Sequence, residues 1–205
     1  MNFFEVFELP RKLAIDTAEL QRRFHALSRQ YHPDFHQAAP ADDQARVLEA
    51  SARVNAAYRA LRDPIARVEY LIRLEEGRET NEGDETVDGH GTSRSMVKPK
   101  APPELLEEMF ELQEALQEAR SGGLDDAARD TLTAQRARLV ERRAAEEARI
   151  TGELSRAWDA AESPDARAKA LGACKAALAT RAYLRTVIDD LGETLDPAEN
   201  AAARG

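Results

Sequence analysis

The stretch that most constrains this chain is Thr17 to Asp34, TAELQRRFHALSRQYHPD. Leu20, Phe24, Leu27 and Tyr31 follow one another at spacings of four, three and four, so they share one face of a helix. Asp16 is placed to cap the start, with Glu19 at the reciprocal position three residues on. Arg22 and Arg29 point away from the apolar stripe, and Arg23 flanks it. The stop is His32-Pro33. A residue before proline is pushed out of the helical region, and proline has no N–H to donate. The pattern predicts a basic amphipathic helix over 17–31, with His32, Pro33 and Asp34 at a loop mouth just beyond it.

Neighbouring segments carry compatible patterns. Phe3, Phe4 and Phe7 predict a short helix over 3–8, ended by Leu9-Pro10. After a polar loop, FHQAAPADD over 35–43, a helix is predicted over 44–62. Its inner stripe is Val47, Ser51, Val54, Tyr58 and Leu61, widened by Leu48 and Ala57. Antiparallel packing of this helix on 17–31 leaves the His-Pro-Asp segment at the tip of a helical hairpin. Asp63-Pro64 is a cap followed by proline at the first helical position, opening a helix to about 75. Residues 76–103 hold several glycines and prolines and no usable periodicity, which predicts a linker. Helices are predicted again at about 104–120, 124–162 and 165–191, broken at Gly122-Gly123 and Ser163-Pro164. The expected architecture is all-α: a hairpin with short helices over 1–75, the linker over 76–103, a three-helix bundle over 104–192, and a tail over 193–205.

Composition narrows the function. Charged residues make up 33% and aromatics 5%, which suits helices with modest cores. The net charge of −9 argues against general nucleic-acid binding and makes the basic helix a local exception. Cys174 is the lone cysteine, so no disulfide framework or cysteine metal cluster is expected. The spacing of His32 and His36 is interrupted by Pro33, and nothing completes a ligand set with His25, so no metal or cofactor is expected. The N-terminus lacks the basic region and apolar length of a signal peptide, and no stretch reaches membrane-spanning length. A soluble cytoplasmic protein is expected.

Tyr-His-Pro-Asp at the end of a basic amphipathic helix, followed by a loop and a second helix, resembles a J-domain. NFFEVFELP, LQRRFHALSRQYHPD and ASARVNAAYRALRDPIARVEYLI together resemble the HscB-type J-domain co-chaperones of bacterial iron–sulfur cluster assembly. The likeness is strongest over 1–75 and extends more weakly through 104–192. It implies that His32, Pro33 and Asp34 dock on a DnaK/HscA-type chaperone ATPase. Asp34 would meet a chaperone arginine, and Arg22, Arg23 and Arg29 would steer the approach. It implies stimulation of the chaperone's ATPase and no catalysis by this chain. A basic residue often follows the tripeptide in J-domains; here the position is Phe35.

The helix over 104–120 carries a second signal. Its core stripe is Leu105, Met109, Leu112 and Leu116, while Leu106 and Phe110 lie off it, bordered by Glu107, Glu111, Glu114 and Glu118. An off-stripe apolar pair among carboxylates is either a binding patch or a second packing face. In HscB-like proteins the matching positions bind the cluster-assembly scaffold, an IscU-like protein. The resemblance assigns that role to Leu106, Phe110, Glu111, Glu114, Glu118 and Tyr183, with Glu107 at a position that is apolar in the family. On this basis the chain would deliver the scaffold to its chaperone and aid maturation of iron–sulfur proteins. Three other readings stand beside it: a J-domain adaptor for general DnaK with another client, an enzyme using His32 and Asp34 as acid and base, and a purely structural helical protein. The enzyme lacks a further catalytic group in the sequence.

Overall fold

Asn2 opens the first helix, α1 (Phe3–Val6), with a reciprocal cap. Its side-chain oxygen accepts from the Glu5 amide at 3.1 Å, and its own amide donates to the Glu5 carboxylate at 3.0 Å. The computed structural model describes residues 1–77, 110, 112–117 and 125–195. Helix α2 (Thr17–Gln30) follows, then a 3-10 turn (Pro33–His36), α3 (Ala41–Arg62) and α4 (Pro64–Glu75). Residues 112–117 are helical. Beyond them lie α5 (Asp126–Arg149), a π-helical turn (Ile150–Leu154), α6 (Ser155–Asp159) and α7 (Pro164–Leu195). The described residues are all-α, with no strand among them.

The described residues divide into two compact units, and the division does not follow chain order. One takes in the residues up to 77 together with Thr151–Gly172; the other takes in the rest, up to Ile150 and from Ala173. The expected bundle over 104–192 therefore differs from the contacts in one respect: its 151–172 portion groups with the N-terminal helices. The expected linker lies outside the described residues apart from 76 and 77, as does the tail beyond Leu195.

In the first unit α3 packs against α1, α2 and α4 and against the 3-10 turn. Val54, Ala57 and Leu61 are its buried stripe, and Leu20 is its buried counterpart on α2. The rings of Phe24 and Tyr58 stack at 3.9 Å with 13° between planes, which fixes the α2–α3 hairpin. Phe4, Phe7, Val68 and Leu71 complete the core. Leu48, placed on the edge of the α3 stripe by sequence, is 62% exposed. Position 48 precedes Val54, the first fully buried residue of α3, while its neighbour Val47 is half-buried.

A buried polar group ties this unit together. Arg67 on α4 is only 4% exposed. It donates from Nε to the Leu61 carbonyl at 2.8 Å and from Nη1 to the Leu13 carbonyl. Asp159, at the end of α6, accepts from the Leu13 amide at 2.7 Å and the Ala14 amide at 2.8 Å. The segment leading into α2 is thus held on both sides of one residue, by a cation at its carbonyl and an anion at its amide. Burial pushes the Arg67 pKa down, opposed by the charges of Asp63 and Asp159.

In the second unit Leu112 and Leu116, Leu132 and Leu139 of α5, and Leu184, Ile188 and Leu191 of α7 form one core. Three helical segments around a shared apolar centre make the expected bundle. Two corrections apply. Tyr183, expected off the core stripe of its helix and open to solvent, is 7% exposed and belongs to this core, as does Val187. A helix packed against two neighbours buries a face wider than a single stripe, and residues one position round the helix are drawn in. Burial also raises the Tyr183 pKa, helped by the charge of Asp190. The single helix expected over 124–162 is interrupted by the π-helical turn, which contains Gly152, a residue that weakens regular helix. No helix among the described residues is long and apolar enough to cross a membrane.

Candidate functional site

The start of α2 is capped as the sequence predicts, in part. Asp16 accepts from the amides of Ala18 at 2.9 Å and Glu19 at 3.1 Å. Glu19 does not complete the reciprocal box: its carboxylate is taken by Arg23 at 2.6 Å and by Arg22. Those hydrogen bonds, that of Arg23 first, hold the Glu19 pKa below its ordinary value. An arginine fork outcompetes an exposed amide for a carboxylate because both partners carry charge.

The three arginines differ in what they are free to do. Arg23 also donates to the carbonyls of Phe7 and, at 3.1 Å, Glu8. Glu8 has a positive φ of 51°, an unusual conformation for a residue with a side chain, and Arg23 braces it. Arg23 therefore holds the end of α1 to α2. Arg22 remains largely exposed, and Arg29 is exposed with no ion pair among the described residues. Outward charge rests on Arg22 and Arg29. Arg23→Ala is expected to lower stability by about 1–2 kcal/mol, from lost bonds to two carbonyls in a partly exposed setting. Thermal melts of the variant check this; an unchanged midpoint would return Arg23 to the outward-facing set.

Past α2 the backbone turns as the proline requires. His32 is extended (φ −74°, ψ 125°) and caps the 3-10 turn, its Nδ1 accepting from the Asp34 amide at 3.3 Å. The Nε2–H of His36 donates to the Gln30 carbonyl at 2.9 Å. Gln44 reaches back from α3 to the carbonyls of Gln37 at 3.1 Å and Ala39 at 2.8 Å. These bonds fix the segment between the two helices of the hairpin. The Asp34 side chain is 70% exposed and that of His32 52%. The site so built is an exposed, hydrogen-bonded turn carrying a carboxylate, an imidazole and a phenyl ring, beside a basic helix face. Exposed side chains on such a turn suit docking to another surface.

The second group of expected residues is only partly described. Phe110 is 65% exposed and Glu114 is exposed. Leu106, Glu111 and Glu118 lie outside the described residues. Tyr183 is in the bundle core, so its ring is not part of an open surface with Phe110. Sequence reasoning did not single out Arg67 or Asp159, both of which position the approach to α2. Nothing in the local pattern marks either: each sits on a helix of mixed charge where solvent is the ordinary partner.

The DnaJ domain family model matches residues 2–70. Among solved structures, the chaperone HscB from Vibrio cholerae is 26% identical, with 93% of this chain and 99% of that chain covered and a TM-score of 0.51. The human co-chaperone protein HscB is 20% identical, with 93% of this chain and 82% of that chain covered and a TM-score of 0.50, which speaks to fold alone. With the helical hairpin and its His-Pro-Asp tip, the family match identifies residues 2–70 as a J-domain. The likeness runs on beyond that segment: over 93% of its length the chain is similar to the chaperone HscB from Vibrio cholerae.

Proposed function

We propose that this chain docks a DnaK/HscA-type chaperone through His32, Pro33 and Asp34, aided by Arg22 and Arg29, and stimulates its ATPase. The observation that carries the proposal is the placement of Asp34: largely exposed at the tip of the α2–α3 hairpin, on a backbone fixed by bonds from both helices. A carboxylate held that way is ready for a charge-assisted contact with a partner cation, at little ordering cost. The chain itself performs no chemistry in this scheme. It acts in a bacterial cytoplasm, where its one buried, free cysteine is at home.

In the same scheme the C-terminal bundle carries an IscU-like scaffold protein to the chaperone, which aids maturation of iron–sulfur proteins. Support comes from Phe110, an aromatic left open to solvent on a helix whose Leu112 and Leu116 face the core, with exposed Glu114 one turn on. Leu106, Glu111 and Glu118 extend the proposed patch, while Tyr183 would act only by supporting the helices beneath it. The test is chaperone ATPase turnover with and without this protein and its scaffold, together with calorimetric titration of the scaffold. Phe110→Ala is expected to weaken scaffold binding by about 1–2 kcal/mol, the cost of one interface anchor, with an unchanged melting temperature. Unaltered affinity would remove Phe110 from the interface.

A further inference from the structure

The loop that presents Asp34 also presents Phe35, and nothing in the docking scheme uses it. Its side chain is among the most exposed large apolar groups of the described residues, at 70%. The Phe35 amide donates to the His32 carbonyl at 3.1 Å, and the two rings sit 5.7 Å apart, tilted by 59°. The turn that fixes Asp34 therefore fixes Phe35 with it. An aromatic ring held out on a rigid turn is preorganised for burial by another surface. It directly follows the carboxylate in sequence, so whatever meets Asp34 also meets Phe35. Arg22 and Arg29 supply the positive charge of this face, and residue 35 adds none.

We propose that Phe35 is an apolar docking contact, seated in an uncharged cleft of the DnaK-type chaperone beside the cation that meets Asp34. The inference rests on the docking scheme above and deepens it: it specifies the partner's surface. A chaperone with a carboxylate opposite position 35 gains nothing from this chain, because no cation is there to meet it and the ring would desolvate the carboxylate. A chaperone with an apolar cleft there is selected.

The experiment titrates the full chain into the chaperone's ATPase assay, comparing wild type, Phe35→Ala, Phe35→Leu, Phe35→Lys and Asp34→Asn, at low and moderate salt. Phe35→Ala should raise the half-maximal concentration about tenfold, and Phe35→Leu should restore most of it, as an apolar contact of smaller area would. Phe35→Lys should be no better than Phe35→Ala at either salt concentration. All the variants should melt with wild type, since the replaced groups are exposed. Stimulation by Phe35→Ala equal to wild type, with Asp34→Asn inactive, would overturn the role of Phe35 and leave the docking scheme standing. Stimulation by Phe35→Lys equal to or better than wild type would show that the partner wants charge there, and would overturn the cleft. Failure of wild type itself to stimulate would remove the docking scheme and this inference together.

Discussion

Asp34→Asn is expected to leave the protein folded and to remove nearly all stimulation of a DnaK-type ATPase at limiting co-chaperone. The side chain is 70% exposed, and asparagine keeps an oxygen for its local contacts, so stability should shift by no more than about 0.5 kcal/mol. What asparagine lacks is the charge. A hydrogen bond between charged groups contributes about 1.5–3 kcal/mol more than none, which is roughly ten- to more than a hundredfold in affinity. Turnover should therefore recover partly when the variant is raised far above the concentration at which wild type saturates. A flat response at every concentration would mean that Asp34 also acts after docking, on the chaperone's closure. Full stimulation at wild-type concentrations would end the docking scheme.

Arg67→Met should cost about 2–4 kcal/mol, from two charge-assisted bonds to carbonyls that are then left bare. Replacing a buried charge by an apolar group is sometimes harmless, since desolvation of the charge is also relieved. Two facts weigh the other way here. The acceptors are backbone carbonyls of Leu13 and Leu61, which stay in place when the guanidinium goes. Asp159 stays as well, still holding the amides beside them but without the nearby cation. One arm of Arg67, Nη2, has no hydrogen-bond partner among the described residues, so the wild-type arrangement is itself incompletely satisfied and the cost falls short of the largest values. Arg67→Lys should be intermediate, because an ammonium cannot serve two divergent carbonyls as a fork does. Urea titrations of the three proteins measure this. A methionine variant as stable as wild type would mean that the network is dispensable.

The sequence was most legible where one force acted alone. The stripe Leu20-Phe24-Leu27-Tyr31 and the break at Pro33 depend on local periodicity and backbone sterics, and α2 and the turn follow them to within a residue. Asp63 with Pro64 behaves likewise: Asp63 accepts from the Ala66 amide at 2.8 Å. Competition between partners was harder to read. Glu19 suits a capping box by spacing, but two arginines on its own helix take the carboxylate. Tyr183 is off one stripe and on another, and only the position of a second neighbouring helix distinguishes the two. Arg67 and Asp159 were illegible because their partners are backbone groups near residue 13, far away in the chain. The His-Pro-Asp tip, in contrast, lies within one hairpin, so its residues were adjacent in sequence before they were adjacent in space.

Asp159 also has a consequence for synthesis. When a ribosome has released residues up to 77, every helix that matches the DnaJ family is available to fold. The amides of Leu13 and Ala14 then still lack their acceptor, and Trp158, 5% exposed in the finished unit, has not been made. At ordinary translation rates the remaining stretch takes on the order of ten seconds to appear. During that interval the nascent N-terminal helices are an incomplete body with an open seam, able to present the His-Pro-Asp tip before the C-terminal helices exist. Closure of the seam by residues 151–172 completes the first unit, while the core of the second still awaits Leu184, Ile188 and Leu191.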